Sequence, residues 1–80
     1  MKAPACGTLL RVIINRVFAE PLGTSKVIVL PVGSSLLVVG EQEYDDSDVN
    51  PLLTVLHERH GLMSIFFFST HFEELARPET

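Results

Sequence analysis

A single cysteine, Cys6, stands in a chain of 80 residues. One thiol cannot close an intramolecular disulfide, and a chain of this length buries only about 60% of the surface that its unfolded form exposes. The fold must therefore depend on one small hydrophobic core. Apolar residues make up 46% of the sequence and the mean hydropathy is +0.31, which is high for so short a chain. We expect some apolar surface to stay uncovered in a monomer and to join two copies as a homodimer.

Short apolar runs rich in β-branched residues, separated by glycine and proline, predict strands over 8–19, 26–30, 36–39 and 62–69. A helix over 8–19 stays open, because the same apolar residues also fit a helical face. The short connection between 26–30 and 36–39 predicts an antiparallel hairpin. As a strand, 8–19 would place four side chains on one face: Leu10, Val12, Ile14 and Phe18.

Residues 49–60 have the spacing of an amphipathic helix. Asp48 or Asn50 can cap its start, Pro51 fits its first turn, and Gly61 suits its end. Its apolar stripe would consist of Val49, Leu52, Leu53, Leu56 and His60.

A second, short helix is predicted near the C-terminus. Thr70 and Glu73 have the spacing of a capping box, and Pro78 would stop a helix that runs through Leu75 and Ala76.

These elements predict a single small α/β domain over residues 1–80, with a flexible leader at 1–7. If the strands at 36–39 and 62–68 are neighbours, the intervening helix forms a right-handed crossover and the two strands run parallel. The predicted fold is therefore α+β, in the order β-β-β-α-β-α: a two-layer domain with a three- to four-stranded mixed sheet, one main helix and a short C-terminal helix.

Half of the ten acidic residues fall between positions 41 and 48. They divide the chain by charge, since residues 1–40 carry +3 and residues 41–80 carry −7. These carboxylates can stabilise the start of the predicted helix, accept hydrogen bonds from arginines of a basic partner, or bind a divalent cation. The segment lacks the central glycine and the final glutamate of an EF-hand loop. The predicted partner-binding residues are Glu41, Glu43, Asp45, Asp46 and Asp48.

Histidines and phenylalanines give two further candidate sites. His57, His60 and His71, with nearby carboxylates, support an alternative function as a metal-binding protein or metal-dependent hydrolase. His57 and His60 are three residues apart, whereas zincin helices use a separation of four, so we predict no bound metal. Aromatic side chains often anchor interfaces, and the predicted anchors are Phe66, Phe68 and Phe72.

The sequence contains no complete catalytic constellation, and we predict no catalytic residue and no cofactor. Its pI near 5.2 argues against direct binding to nucleic acid. No apolar run approaches the ~20 residues that a membrane-spanning helix needs, and we expect a cytoplasmic protein. The predicted function is a non-enzymatic, acidic interaction module, an adaptor or inhibitor, that engages a basic partner surface and can block a nucleic-acid-binding site on that partner.

Overall fold

The computed structural model of the protein describes residues 3–42 and 50–78. In these residues, seven antiparallel strands form one curled sheet, an open half-barrel. In the order in which they cross the sheet, the strands are β3, β2, β6, β5, β4, β1 and β7. Their bounds in chain order are β1 (Leu9–Val12), β2 (Val17–Pro21), β3 (Ile28–Leu30), β4 (Ser35–Gln42), β5 (Leu52–His57), β6 (Gly61–Phe66) and β7 (Phe72–Ala76). In the described part of the chain, the one helical element is a 3₁₀ turn at Ser69–His71.

The α+β prediction is wrong, chiefly because residues 52–57 form strand β5 rather than a helix. Along β5 the side chains alternate, with Leu53, Val55 and His57 buried and Leu56 exposed. The leucines of the predicted apolar helix stripe therefore lie on two different faces of a strand. Gly61, interpreted as the end of a helix, has φ +73° and follows the turn that joins β5 to β6.

The predicted strand pairing is also wrong, because β5 lies between β4 and β6. A strand in that position leaves no crossover helix, so the predicted parallel pair does not exist and every neighbouring pair is antiparallel. The predicted hairpin between 26–30 and 36–39 is absent as well. Strand β3 pairs with β2, while β4 pairs with β1 and β5.

Two predicted elements differ at the ends of the chain. Residues 8–19 form two strands, β1 and β2, and the turn between them holds Arg16 at φ +66°. The predicted C-terminal helix is strand β7, and no side chain caps the 3₁₀ turn before it. Pairing with β1 explains this difference, because it places Phe72 opposite Val12 and buries both side chains.

The core lies on the inner face of the curled sheet. Because the sheet curls, side chains from strands that are far apart in the sheet meet and exclude water from one another. No helix among the described residues has the length and apolar character needed to cross a membrane. The buried hydrophobic residues are Leu10, Val12, Val17, Ala19, Leu30, Leu36, Val38, Leu53, Val55, Met63, Ile65 and Phe72.

Alanine substitutions in β5 distinguish the strand from the helix. Leu53 is 0% exposed and Leu56 is 42% exposed. We expect Leu53→Ala to lower the free energy of unfolding by about 2–5 kcal/mol, because it leaves a cavity in the core. Leu56→Ala should cost about 1 kcal/mol or less, because its side chain is already partly in water and its removal leaves no cavity in the core. Urea denaturation at low protein concentration measures both, and equal losses would instead fit a helix that buries both leucines.

Candidate interaction surface

Four leucines form a continuous row across the outer face of the sheet, the face opposite the core. Leu9 pairs with Leu37, Leu37 pairs with Leu56, and Leu56 pairs with Leu62, so the row crosses β1, β4, β5 and β6. Directly opposed residues on neighbouring strands have side chains in contact range. Leu37, Leu56 and Leu62 are 38%, 42% and 44% exposed. This leucine row is a patch of apolar surface that the described chain leaves in water.

A second apolar row, here called the phenylalanine row, runs parallel to the first on the same face. Phe18 of β2 pairs with Val29 of β3, and Leu52 of β5 pairs with Phe66 of β6. Phe18, Val29 and Phe66 are 58%, 54% and 44% exposed. Apolar patches of this kind, bordered by polar groups, are typical of interaction sites.

Polar side chains separate the two rows. Glu20 pairs with Ser64, and Ser64 pairs with Thr54. The side-chain amide of Gln42 donates to the Thr54 hydroxyl at 2.9 Å and to the Ser64 hydroxyl at 2.7 Å. Gln42 therefore links three neighbouring strands, and its position on the outer face is fixed by two hydrogen bonds.

A groove of about 340 Å³ lies beside these polar residues. Its walls are apolar, and the polar side chains that line it are Glu20, Gln42 and Ser64. A groove with apolar walls and one carboxylate suits a lysine or an arginine, whose aliphatic stem packs on apolar surface while its charge meets the carboxylate. The remaining lining residues are Phe18, Ala19, Val27, Leu52 and Phe66.

The two edges of the sheet are poor sites for pairing with another strand. Edge strand β3 has three residues, and it lies between Lys26 and Pro31. At the other edge, β7 carries Glu73 and Glu74. Short length, charge and proline all discourage edge-to-edge association. The outer face, rather than an edge, is therefore the surface available for a partner.

The predicted acidic site is described only at its first residue. Glu41 is exposed in β4 and pairs with Leu53. The other predicted partner-binding residues, Glu43, Asp45, Asp46 and Asp48, lie outside the described residues. The acidic segment continues directly from Gln42, which lines the groove, so the chain itself connects the two features.

The three predicted aromatic anchors occupy different environments. Phe66 belongs to the phenylalanine row. Phe68 is 38% exposed, and its ring centroid lies 4.7 Å from that of His71. Phe72 is 6% exposed, and its ring stacks on Phe67 with centroids 5.7 Å apart. Phe66 and Phe68 are accessible to a partner, whereas Phe72 contributes to the core.

His57 closes the β5–β6 hairpin. Its Nδ1 atom accepts hydrogen bonds from the backbone N–H groups of Arg59 (3.1 Å) and His60 (3.3 Å). Burial lowers the pKa of His57, and the nearby His60 lowers it further. Both effects favour the neutral imidazole, which the two hydrogen bonds to Nδ1 also require.

The predicted metal ligands are divided between two places. His57 and His60 are neighbours, with ring centroids 4.9 Å apart, while the ring contacts of His71 are with Phe68 and Phe72. Within residues 3–42 and 50–78, no three His, Cys, Asp or Glu side chains are grouped so that they could hold a metal ion.

Comparisons with protein-family models, with curated proteins and with solved structures gave no match for this chain. Sequence reasoning missed the leucine row and the groove, because both are assembled from strands that are distant in sequence.

Asparagine at position 57 tests the role of the neutral imidazole. Because the pKa of His57 is lowered from 6.5 in the folded state, the unfolded chain binds more protons at mildly acidic pH. Stability should therefore be greatest above about pH 6.5 and fall as the pH drops from there toward the lowered pKa. His57→Asn keeps an acceptor near the Nδ1 position but cannot titrate, so the variant should lose less stability on acidification.

Thermal unfolding between about pH 7.5 and about pH 5 measures this difference. His71→Asn is the matched control, because no side-chain hydrogen bond to the His71 ring is found among the described residues. The control should keep the acid-induced loss of the wild type. An equal loss in His57→Asn and wild type would show that His57 is not its source.

Proposed function

We propose that the protein is a non-enzymatic interaction module, an adaptor or an inhibitor, that engages a basic partner protein through its outer face and its acidic segment. The observation that carries this proposal is the groove, which is lined mostly by apolar residues together with Glu20, Gln42 and Ser64. Gln42, which lines this groove, is also the second residue of the acidic segment at 41–48.

The groove can bind both the aliphatic stem and the charged end of a long basic side chain. Phe18 and Phe66 offer apolar surface to the methylene groups, and Glu20 offers a carboxylate to the charged end. Arginine fits this arrangement best, because its guanidinium can stack on an aromatic ring and donate to a carboxylate at the same time. One arginine or lysine of the partner would insert here.

The acidic segment supplies attraction over a longer range. Residues 41–80 carry −7, and five of those carboxylates lie within 41–48. Such a cluster speeds the approach of a basic surface and selects against acidic ones. Since a basic surface that binds nucleic acid has the same charge, occupation of such a surface would make the protein an inhibitor. A reducing, cytoplasmic location agrees with the single thiol of Cys6.

The leucine row supports a homodimer as part of the same proposal. Its four side chains carry no charge, so the row is complementary to itself about a two-fold axis. The polar residues Glu20, Thr54 and Ser64 separate it from the phenylalanine row. The groove would therefore lie at the rim of the dimer, where a partner can reach it.

Neutralising the acidic segment tests partner binding. The immobilised wild-type protein should capture basic proteins from cell lysate, and the capture should weaken as salt is raised. A variant that replaces four carboxylates with amides should lose this capture and keep its thermal unfolding midpoint. Its substitutions are Glu43→Gln, Asp45→Asn, Asp46→Asn and Asp48→Asn.

The matched control removes four negative charges elsewhere, and it should capture the same proteins as the wild type. Unchanged capture by the segment variant, or equal loss in both variants, would contradict the proposal. The control substitutions are Glu58→Gln, Glu73→Gln, Glu74→Gln and Glu79→Gln.

A charge within the leucine row tests the homodimer. Sedimentation equilibrium should give the wild type a mass about twice the 8.9 kDa of the chain. Leu56→Glu should sediment as a monomer, because the new carboxylate would be buried without a partner in the interface. Val32→Glu, at a position that is 53% exposed in the turn before β4, is the control and should remain a dimer. A monomeric wild type would exclude this part of the proposal.

A further inference from the structure

A cleft of about 580 Å³ lies beside β7, and it shares no lining residue with the groove on the outer face. Residues 3–5 form one wall, and they belong to a segment held against β4 by two hydrogen bonds. Gly7 N–H donates to the Val38 carbonyl at 2.7 Å, and the Cys6 thiol donates to the Val39 carbonyl at 2.8 Å. The volume is within the usual range for sites that bind small molecules.

Thr8 lines this cleft and is 1% exposed, yet its hydroxyl has no hydrogen-bond partner among residues 3–42 and 50–78. The backbone of the same residue is fully bonded, because Thr8 N–H donates to the Ala5 carbonyl and the Thr8 carbonyl accepts from Val38 N–H. Buried hydroxyls in folded proteins are nearly always bonded. Valine has almost the same shape and would fill the position without an unbonded hydroxyl. The free hydroxyl is therefore a local cost, which is the pattern expected where a residue serves a ligand.

The other lining residues define the chemistry of that ligand. Phe67 and Phe72 provide an aromatic wall, with their rings 15° from parallel. In the described part of the chain, the charged groups that line the cleft are Glu74 and Arg77, and they neutralise each other in an ion pair of 2.8 Å. A site with no net charge, an aromatic wall and one unused hydroxyl favours a neutral ring that carries a single hydrogen-bonding group.

We propose that this cleft binds a small, neutral, largely apolar molecule whose single hydroxyl or carbonyl group hydrogen bonds to Thr8. This site is independent of the outer face and of the partner proposed for it. Thr8 recognises the polar group, and the two phenylalanine rings hold the apolar part.

A titration with matched small molecules tests the site in the whole chain. The probes are 4-methylphenol, toluene, which lacks the hydroxyl, and 4-methylbenzoate, which carries a charge. In ¹H–¹⁵N spectra, 4-methylphenol should give saturable shifts at the amides of Thr8, Leu10 and Phe72. It should bind more tightly than toluene, and 4-methylbenzoate should bind most weakly.

Three variants assign the recognition to one hydroxyl. Thr8→Val should weaken 4-methylphenol about three- to tenfold, the loss of one neutral hydrogen bond, and leave toluene unchanged. It should also raise the melting temperature of the free protein by about 4–8 °C, because the unbonded hydroxyl is gone. Thr8→Ser should keep the preference for 4-methylphenol. Thr54→Val, the same change on the outer face, should bind all three probes as the wild type does.

The proposal is overturned if no probe gives a saturable shift, if the shifts map to the groove on the outer face, or if Thr8→Val keeps the wild-type preference. A lower melting temperature for Thr8→Val would also overturn it, because the hydroxyl would then be bonded within the protein.

Discussion

The structure depends on the pairing of β5 with β4 on one side and with β6 on the other. This pairing makes residues 52–57 a central strand, and it joins the N-terminal and C-terminal parts of the chain in one sheet. Because successive side chains of a strand point to opposite faces, Leu53 and Val55 enter the core while Leu52 and Leu56 lie on the outer face. A second layer would normally cover that outer face. In the described part of the chain no such layer exists, and the rows of leucine and phenylalanine remain in water.

The sequence predicted the positions of several strands but not how they pair. The runs at 26–30, 36–39 and 62–68 each contain or overlap a strand of the structure. Because residues 52–57 were predicted as a helix, strand β5 was missing from the predicted sheet. Its two neighbours, β4 and β6, were therefore paired with each other in the prediction. Leu52, Leu53 and Leu56 satisfy the spacing of a helix as well as the alternation of a strand with apolar residues on both faces. Gly61 added support for the wrong choice, because a hairpin turn needs the same positive φ as a helix end.

The candidate site could be predicted only in part, since it is assembled from residues that are distant in sequence. The acidic segment is evident as a local run, and Phe66 was predicted as an interface anchor because aromatic side chains often anchor interfaces. The groove combines Phe18 and Glu20 of β2 with Gln42 of β4 and Ser64 of β6. Their proximity follows from the strand order, which no local pattern reveals. Thr8 is a second example, because only the folded chain shows that its hydroxyl is buried and has no hydrogen-bond partner among the described residues.

We expect this protein to contact other proteins, including a second copy of itself, through the outer face and not through an edge of the sheet. A dilution series of ¹H–¹⁵N spectra tests this expectation residue by residue on the unmodified chain. Concentration-dependent shifts should cluster at the amides of the leucine row, in β1, β4, β5 and β6. Shifts confined to the edge strands β3 and β7, or spectra that do not change with concentration, would contradict it.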